Sequence, residues 1–212
     1  MLRVITSIII VYCFASCSNS QNSNSKGEID LTIENKNDLD FKDSTKKNIC
    51  VFNFPDTSIS NIILRNSWST AQVLGENEKR DEHDQYHYYS SKNEESLSLT
   101  QHAGDGKYQI SIFKVEYSDK VDHGYPKLNI DTFRTEKGIK LGLMKRQIIE
   151  RLGSCYVAKD STRDYIELYY MLETPCDSQT KILERNNMPI YYASYKLWND
   201  KLRVFEFGFE YP

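Results

Sequence analysis

The chain has 212 residues, an apolar content of 39% and a net charge of −3. This length predicts one or two small folded units. Because lysine and arginine are not in excess, nothing in the composition would neutralise a phosphate backbone, and we expect no nucleic-acid partner. Fifteen tyrosines and nine phenylalanines favour strands over helices.

Residues 1–16 are predicted to be a signal peptide. Residues 4–14 form an apolar run that is shorter than the roughly 20 residues needed to span a bilayer. Small Ala15 and Ser16 then precede Cys17. This order resembles a bacterial lipobox, which implies that Cys17 is acylated and becomes the mature N-terminus. The alternatives are an ordinary signal peptide cut near Ser16 and an uncleaved anchor.

Residues 17–47 are predicted to be a flexible, lipid-anchored tether. The stretch opens with the polar run SNSQNSNS and continues with dense mixed charge, a composition that cannot form a core. As a coil, roughly 30 residues have an r.m.s. span of about 30 Å. The absence of Asp after Cys17 is compatible, by resemblance, with attachment to the outer membrane of the cell envelope, facing the periplasm or the cell surface.

A first folded unit is predicted over residues 48–122. A helical segment spans 56–75, broken near Asn66, with Asp56, Thr57 or Ser58 as its cap. Tyrosine-rich and alternating runs then predict strands over 86–91, 97–101 and 107–117.

A second unit is predicted over residues 123–212. Its helix ends at Gly153 and carries an apolar stripe at steps of three and four, formed by Leu141, Met144, Ile148, Ile149 and Leu152. Strands are predicted over 163–172, 189–197 and 202–211, with a turn at Asn199 and Asp200. In the last strand Phe205, Phe207 and Phe209 alternate with polar residues, so one face is expected to be buried.

The two units share an order of elements. Leu74 and Gly75 align with Leu152 and Gly153, and each half then closes on a long strand ending in Glu-Tyr. We therefore predict an α+β fold of tandem helix-plus-antiparallel-sheet repeats.

A family resemblance supports this prediction. Residues 135–153, TEKGIKLGLMKRQIIERLG, resemble the helix-opening motif of small bacterial envelope lipoproteins, among them the small outer-membrane assembly lipoproteins and the beta-lactamase-inhibitor-protein fold. Residues 192–202 are similar to the last hairpin of such domains. The resemblance implies tandem helix-plus-sheet repeats whose sheet faces and loops bind proteins.

Cysteine and histidine offer few sites for chemistry. Cys155 and Cys176 flank one strand and its loop, and in an oxidising compartment they are predicted to form a disulfide bond, with two free thiols as the alternative. Cys50 lies in an apolar run typical of a core. His83 and His87 are four positions apart, but a solvated acidic loop explains them better than a metal site.

The remaining candidate is a binding face on the closing hairpin. Alternation puts Tyr192, Lys196 and Trp198 on one face, and Glu206 and Glu210 join them if the phenylalanines are core. Exposed aromatic residues mixed with charge are typical of protein-binding surfaces. The alternative is that Trp198 packs over a sheet edge.

Motifs of serine hydrolases, phosphate loops and zinc proteases are not found in the sequence. We therefore expect a non-catalytic envelope module, without a cofactor or a bound metal, that binds another envelope protein as scaffold, assembly factor or inhibitor. The alternative is a lipid-anchored binder of a small molecule or glycan.

Overall fold

One antiparallel sheet of seven strands organises the fold. A computed structural model of the chain describes residues 55–75, 85–119, 124–173 and 181–211. The elements in chain order are β1 (Ser58–Ile59), β2 (Ile62–Ile63), α1 (Ser67–Leu74), β3 (Gln85–Tyr89), β4 (Glu95–Thr100), β5 (Ile112–Tyr117), α2 (Lys145–Leu152), β6 (Val157–Lys159), β7 (Tyr165–Leu172), α3 (Ile182–Asn186), β8 (Ile190–Trp198) and β9 (Lys201–Glu210).

The predicted α+β architecture of tandem helix-plus-sheet repeats is wrong, because the described residues form a mostly β structure. The strand order is β3-β4-β5-β9-β8-β7-β6, and β1 and β2 form a separate two-stranded sheet. Within the described residues the helices have only 8, 8 and 5 residues. β5 and β9, expected in different units, pair directly, with Phe113 opposite Phe207. The two halves therefore contribute to a single sheet.

The helix predicted over residues 56–75 is mostly replaced by a hairpin. Ser60 and Asn61 both have positive φ, 47° and 73°, which gives the tight turn that matches the twist of two antiparallel strands. The side chain of Asn66 then accepts a 3.0 Å hydrogen bond from the Ser69 backbone N–H. This cap starts α1 only at Ser67, so the helix is limited to 8 residues.

The similarity between the two halves has a local cause. At the ends of α1 and α2, Gly75 and Gly153 adopt φ of 60° and 90°, and their N–H groups bond to the carbonyls of Ala71 and Ile149. Glycine is favoured wherever a helix ends in this way. The alignment of Leu-Gly with Leu-Gly therefore reflects a common helix stop and does not require a duplication.

Period-two alternation along the strands is confirmed by the burial of their side chains. Phe205, Phe207 and Phe209 of β9 are fully buried, and the predicted turn at Asn199 and Asp200 joins β8 to β9 with φ of 48° and 61°. Each phenylalanine that leaves water on folding stabilises the fold by roughly 1.5–3 kcal/mol. The β8–β9 hairpin therefore forms the centre of the sheet's packed face.

The helices complete the core on that packed face. Buried residues of all three, including Leu74, Ile148, Leu152 and Leu183, belong to the same apolar cluster as the three phenylalanines of β9. Of the stripe predicted for the second helix, Met144 is 52% exposed. It is the N-cap residue of α2, and its backbone N–H donates to the Gln147 side chain at 2.9 Å.

All described residues belong to one compact unit, Lys47–Pro212. The predicted signal peptide and tether lie outside the described residues, and the predicted limits 1–16, 17–47, 48–122 and 123–212 stay predictions. None of the described helices is long and apolar enough to cross a membrane.

Candidate functional site

The face of the sheet opposite the packed core is the candidate site, and we call it the open face. The strand registers assign to it Gln85, His87 and Tyr89 of β3; Ser96, Ser98 and Thr100 of β4; Ile112, Lys114 and Glu116 of β5; Val204, Glu206, Gly208 and Glu210 of β9; Ile190, Tyr192, Ser194, Lys196 and Trp198 of β8; Tyr165, Glu167, Tyr169 and Met171 of β7; and Val157 and Lys159 of β6. None of these residues belongs to the apolar core cluster. The sheet therefore presents a broad surface of mixed aromatic and polar character.

The structure places all five residues of the predicted binding face on the open face, but it does not bring them to one point. Trp198 lies beside Lys201 at one end of the β8–β9 hairpin, and Glu210 lies beside Ile190 at the other. Eight residues of strand separate the two ends, roughly 27 Å at 3.4 Å per residue. Tyr192 lies towards the Glu210 end, and Glu206 pairs with Ser194 midway along the hairpin. The surface therefore has two separate aromatic positions.

The first aromatic position is formed by Trp198 and Tyr165. Their ring centroids are 4.7 Å apart and their planes are tilted by 53°. Trp198 is 40% exposed. Part of its apolar indole surface therefore faces solvent.

The second aromatic position is the stacked pair of Tyr169 and Tyr192. Their centroids are 6.1 Å apart with an interplanar angle of 18°. The Tyr192 hydroxyl donates a 2.6 Å hydrogen bond to Glu206 Oε1, which fixes the ring. Val157 and Met171, directly opposite Tyr169 and Tyr192 on the neighbouring strands, are 63% and 45% exposed. An apolar rim therefore adjoins the tyrosine pair.

Carboxylates determine the electrostatics around this pair. Burial, and then Glu206, raise the pKa of the Tyr192 hydroxyl far above its ordinary value. Burial raises the pKa of Tyr169 as well, followed by the charges of Glu210, Glu167, Glu173 and Glu206. Both hydroxyls therefore stay protonated at physiological pH, whereas a general base would need a lowered pKa.

The β3–β5 half of the open face is more polar. His87 Nδ1 is 2.9 Å from Ser98 Oγ, and the His87 ring lies 5.0 Å from that of Tyr125. Lys114 and Glu116 form an ion pair at 2.9 Å. His83 lies outside the described residues. Across the parts of the chain that the structure describes, no three His, Cys, Asp or Glu side chains are grouped as metal ligands.

The cysteine predictions fall largely outside the described residues. Cys155 is disulfide-bonded, and every other cysteine of the chain, including Cys17, Cys50 and Cys176, lies outside the described ranges. The pairing of Cys155 with Cys176 and the acylation of Cys17 stay predictions.

Two clefts were not anticipated from the sequence. One of about 1010 Å³ runs between the β1–β2 turn and residues 128–140, and one of about 660 Å³ lies between Arg65, Glu136 and α3. Near the second, Glu136 accepts hydrogen bonds from the Thr57 backbone N–H and hydroxyl at 2.7 and 2.9 Å. The carboxylate is therefore occupied in holding two chain segments together.

Among the open-face residues that sequence reasoning did not identify are Lys159, Tyr165, Glu167 and Tyr169. Alternation along β7 was the signal, because Tyr165, Glu167 and Tyr169 are spaced by two like their counterparts on β8. Ser194 Oγ donates a 2.7 Å hydrogen bond to Glu167 Oε1, so these residues are part of the same polar surface.

No protein-family model matches the chain, and no curated protein or solved structure matches it either. The resemblance to small envelope lipoproteins therefore stays a prediction from its motifs.

Proposed function

We propose that this chain is a lipid-anchored protein of the bacterial cell envelope whose folded part binds another envelope protein without catalysis, as scaffold, assembly factor or inhibitor. The lipobox-like sequence that ends at Cys17 supports the anchor and, by resemblance, the outer membrane. The open face supports the binding. The single observation that carries this function is the exposed Trp198 on a sheet face whose residues lie outside the apolar core cluster.

The size of the open face favours a protein as the partner. Seven strands spaced by about 4.8 Å, each roughly 23 Å long on average, cover an area on the order of 700 Å². A stable protein–protein interface buries about 800 Å² on each partner. Small ligands, in contrast, prefer concave pockets that enclose most of their surface. The face therefore has the dimensions of a protein interface.

The chemistry of the open face points the same way. Tryptophan and tyrosine are the residues most enriched at the points that dominate binding energy, and a polar rim usually surrounds them. Here Trp198 and the Tyr169–Tyr192 pair are set among Glu206, Glu210 and Lys196. The Tyr192 hydroxyl is already bonded to Glu206, so the pair offers mainly its ring surfaces and the neighbouring carboxylates, which suits recognition.

The test compares the two tryptophans of the chain. Trp198→Ala should lower recovery of a stoichiometric protein partner from native envelope at least tenfold, since truncation of such an anchor costs about 2 kcal/mol or more. Trp68, 73% exposed on α1, provides the control, and Trp68→Ala should leave recovery unchanged. Thermal unfolding of both variants should stay within a few degrees of wild type.

Equal recovery with Trp198→Ala and wild type would contradict the proposed surface. Unfolding of Trp198→Ala would mean that the side chain packs over the sheet edge, which was the alternative prediction from the sequence.

A glycan or small molecule is the second candidate ligand. The Tyr169–Tyr192 pair favours it, because the face of an aromatic ring can pack against the apolar face of a sugar. Under this alternative no stoichiometric protein is recovered, and an oligosaccharide raises the melting temperature through binding to the folded state.

A further inference from the structure

The Tyr169–Tyr192 pair lies in a concentration of negative charge. Four carboxylates, those of Glu167, Glu173, Glu206 and Glu210, act on the Tyr169 hydroxyl. Glu206 uses Oε1 to accept from Tyr192. The Glu210 carboxylate is exposed and, within the described part of the chain, has no hydrogen-bond or ion-pair partner. Negative charge is therefore left available beside the two rings.

The chain itself shows that the Tyr169 ring accepts a cation. Lys159 Nζ lies 3.3 Å from the centroid of the Tyr169 ring, well within the range of a cation–π contact. Lys159 comes from β6, an exposed edge strand of only 3 residues. Because all three residues of β6 are exposed, a cation from a partner could reach this ring, where it would compete with Lys159.

These two observations define the chemistry that fits the pair. The face of an aromatic ring attracts an ammonium or guanidinium group, and a guanidinium also stacks on the ring and pairs with carboxylates through two parallel hydrogen bonds. We propose that the protein partner presents a lysine or arginine side chain to the Tyr169–Tyr192 pair, between Glu206 and Glu210. This inference rests on the proposed function and specifies the partner as a surface with a basic segment.

A hexa-arginine peptide is the probe for this preference. Its binding to the full chain is measured by fluorescence anisotropy at low ionic strength, with hexaglutamate as the negative control. The double variant Glu206→Gln/Glu210→Gln should raise the Kd at least fivefold. Glutamine keeps an acceptor for the Tyr192 hydroxyl, so the ring pair should stay in place.

A matched charge control separates this site from general attraction to an acidic protein. Glu150→Gln/Glu184→Gln removes the same charge from exposed positions on α2 and α3 and should change the Kd less than twofold. Equal weakening by the two double variants would overturn the proposal, because only the overall charge would then matter.

A variant at Lys159 provides a second test, in which tighter binding of the peptide is expected. Lys159→Met removes the cation that contacts Tyr169 and should lower the Kd at least twofold, whereas Lys140→Met, an equal change of charge at an exposed position away from the open face, should lower it less. If Lys159→Met weakens binding, the ring pair is not where the cation binds, and the proposal fails.

The two proposals fail in different ways. If Trp198→Ala abolishes capture of the native partner but Glu206→Gln/Glu210→Gln leaves it intact, the open face binds a partner without the basic contact. If neither variant affects capture, the open face is not the binding surface.

Discussion

At the scale of single residues, Asp56 has the most unusual environment in the described structure. Its side chain is fully buried. Oδ1 accepts a long 3.3 Å hydrogen bond from the Lys137 backbone N–H, whereas Oδ2 and the neighbouring Tyr195 hydroxyl have no partner of good geometry. Burial first, and the nearby charge of Glu136 second, raise the pKa of Asp56 to about 7. A buried carboxyl of this kind opposes folding when it is ionised.

The sign of the pH dependence follows from this raised pKa. Between about pH 4 and pH 7 the unfolded chain loses the Asp56 proton while the folded chain keeps it, so stability falls as the pH rises. A rise of about three units in the Asp56 pKa corresponds to a loss of at most about 4 kcal/mol in the free energy of unfolding over this pH range. The groups facing the carboxyl are Glu136, Lys137, Thr135, Tyr191 and Tyr195. The positive charge of Lys137 lowers the Asp56 pKa, but by less than burial and Glu136 raise it.

Asp56→Asn should therefore stabilise the protein by about 1–4 kcal/mol at pH 8 and make little difference near pH 4. The amide keeps the acceptor for the Lys137 N–H and offers a donor towards the Tyr195 hydroxyl. Urea unfolding at pH 4, 6 and 8 measures the difference between variant and wild type. A variant that is less stable than wild type at pH 8 would contradict the expectation.

Asp131→Asn is the matched control for Asp56→Asn. The Ser91 hydroxyl, with Lys92 nearby, holds the pKa of this exposed carboxyl below its ordinary value. Removal of its charge should therefore give no gain in stability at any of the three pH values.

The environment of Asp56 also shows where sequence reasoning ends. Asp56 follows Pro55, and the sequence therefore predicts a helix cap at this position. Such a prediction uses only residues that are close in the chain. Its carboxyl is buried by Tyr195, and the Tyr191 hydroxyl donates to its backbone carbonyl at 2.8 Å. Both tyrosines come from β8, far along the chain, so no local signal could have placed them there.

At the scale of elements, alternation predicted the faces of the strands but not their partners. The phenylalanines of β9 are buried as expected, since side chains on a strand alternate between two faces. The pairing of β5 with β9 joins residues almost a hundred positions apart in the sequence. Alternation of side chains along a strand does not indicate which other strand it pairs with. The short hairpin β1–β2 was missed because its turn uses Ser-Asn in place of the Asn-Gly that signals this geometry.

The β5–β9 contact has one position where the two backbones approach closely. A Cβ at Gly208 would lie 2.2 Å from Ser111 O and 2.7 Å from Ile112 Cα. Both are backbone atoms, which cannot move aside without loss of the strand pairing. Gly208→Ala should therefore destabilise the protein by about 3 kcal/mol or more, measured as the free energy of unfolding in urea.

Gly106→Ala tests whether this effect is specific to the contact between β5 and β9. Its added Cβ would meet only Gln109 Oε1, at 3.5 Å, an ordinary van der Waals distance. We expect a change within about 0.5 kcal/mol. If Gly208→Ala is tolerated equally well, the two strands are further apart in solution than the structure indicates.

At the scale of the whole molecule, the proposed function combines the open face with the predicted tether. As a coil, the roughly 30 residues of that predicted tether would have an r.m.s. span of about 30 Å. A broad, slightly acidic face at the end of such a tether can reach a partner in many orientations, which suits a protein surface better than an embedded ligand. The binding proposal and the anchoring proposal therefore support each other, and the anchor can be tested alone.

Cys17 and Cys13 give a matched pair for that test. If the lipobox-like sequence is used, the mature protein begins at Cys17 with a diacylglyceryl group and partitions into detergent, because two acyl chains hold a protein at a membrane far more stably than one. Cys17→Ser should abolish both the lipid mass and the partition. Cys13→Ser should change neither, since bulky Val11 and Tyr12 precede it. Intact mass of the mature protein is the deciding measurement: an N-terminus other than Cys17, or lipid retained in Cys17→Ser, would remove the anchor and with it the reason to place the open face in the envelope.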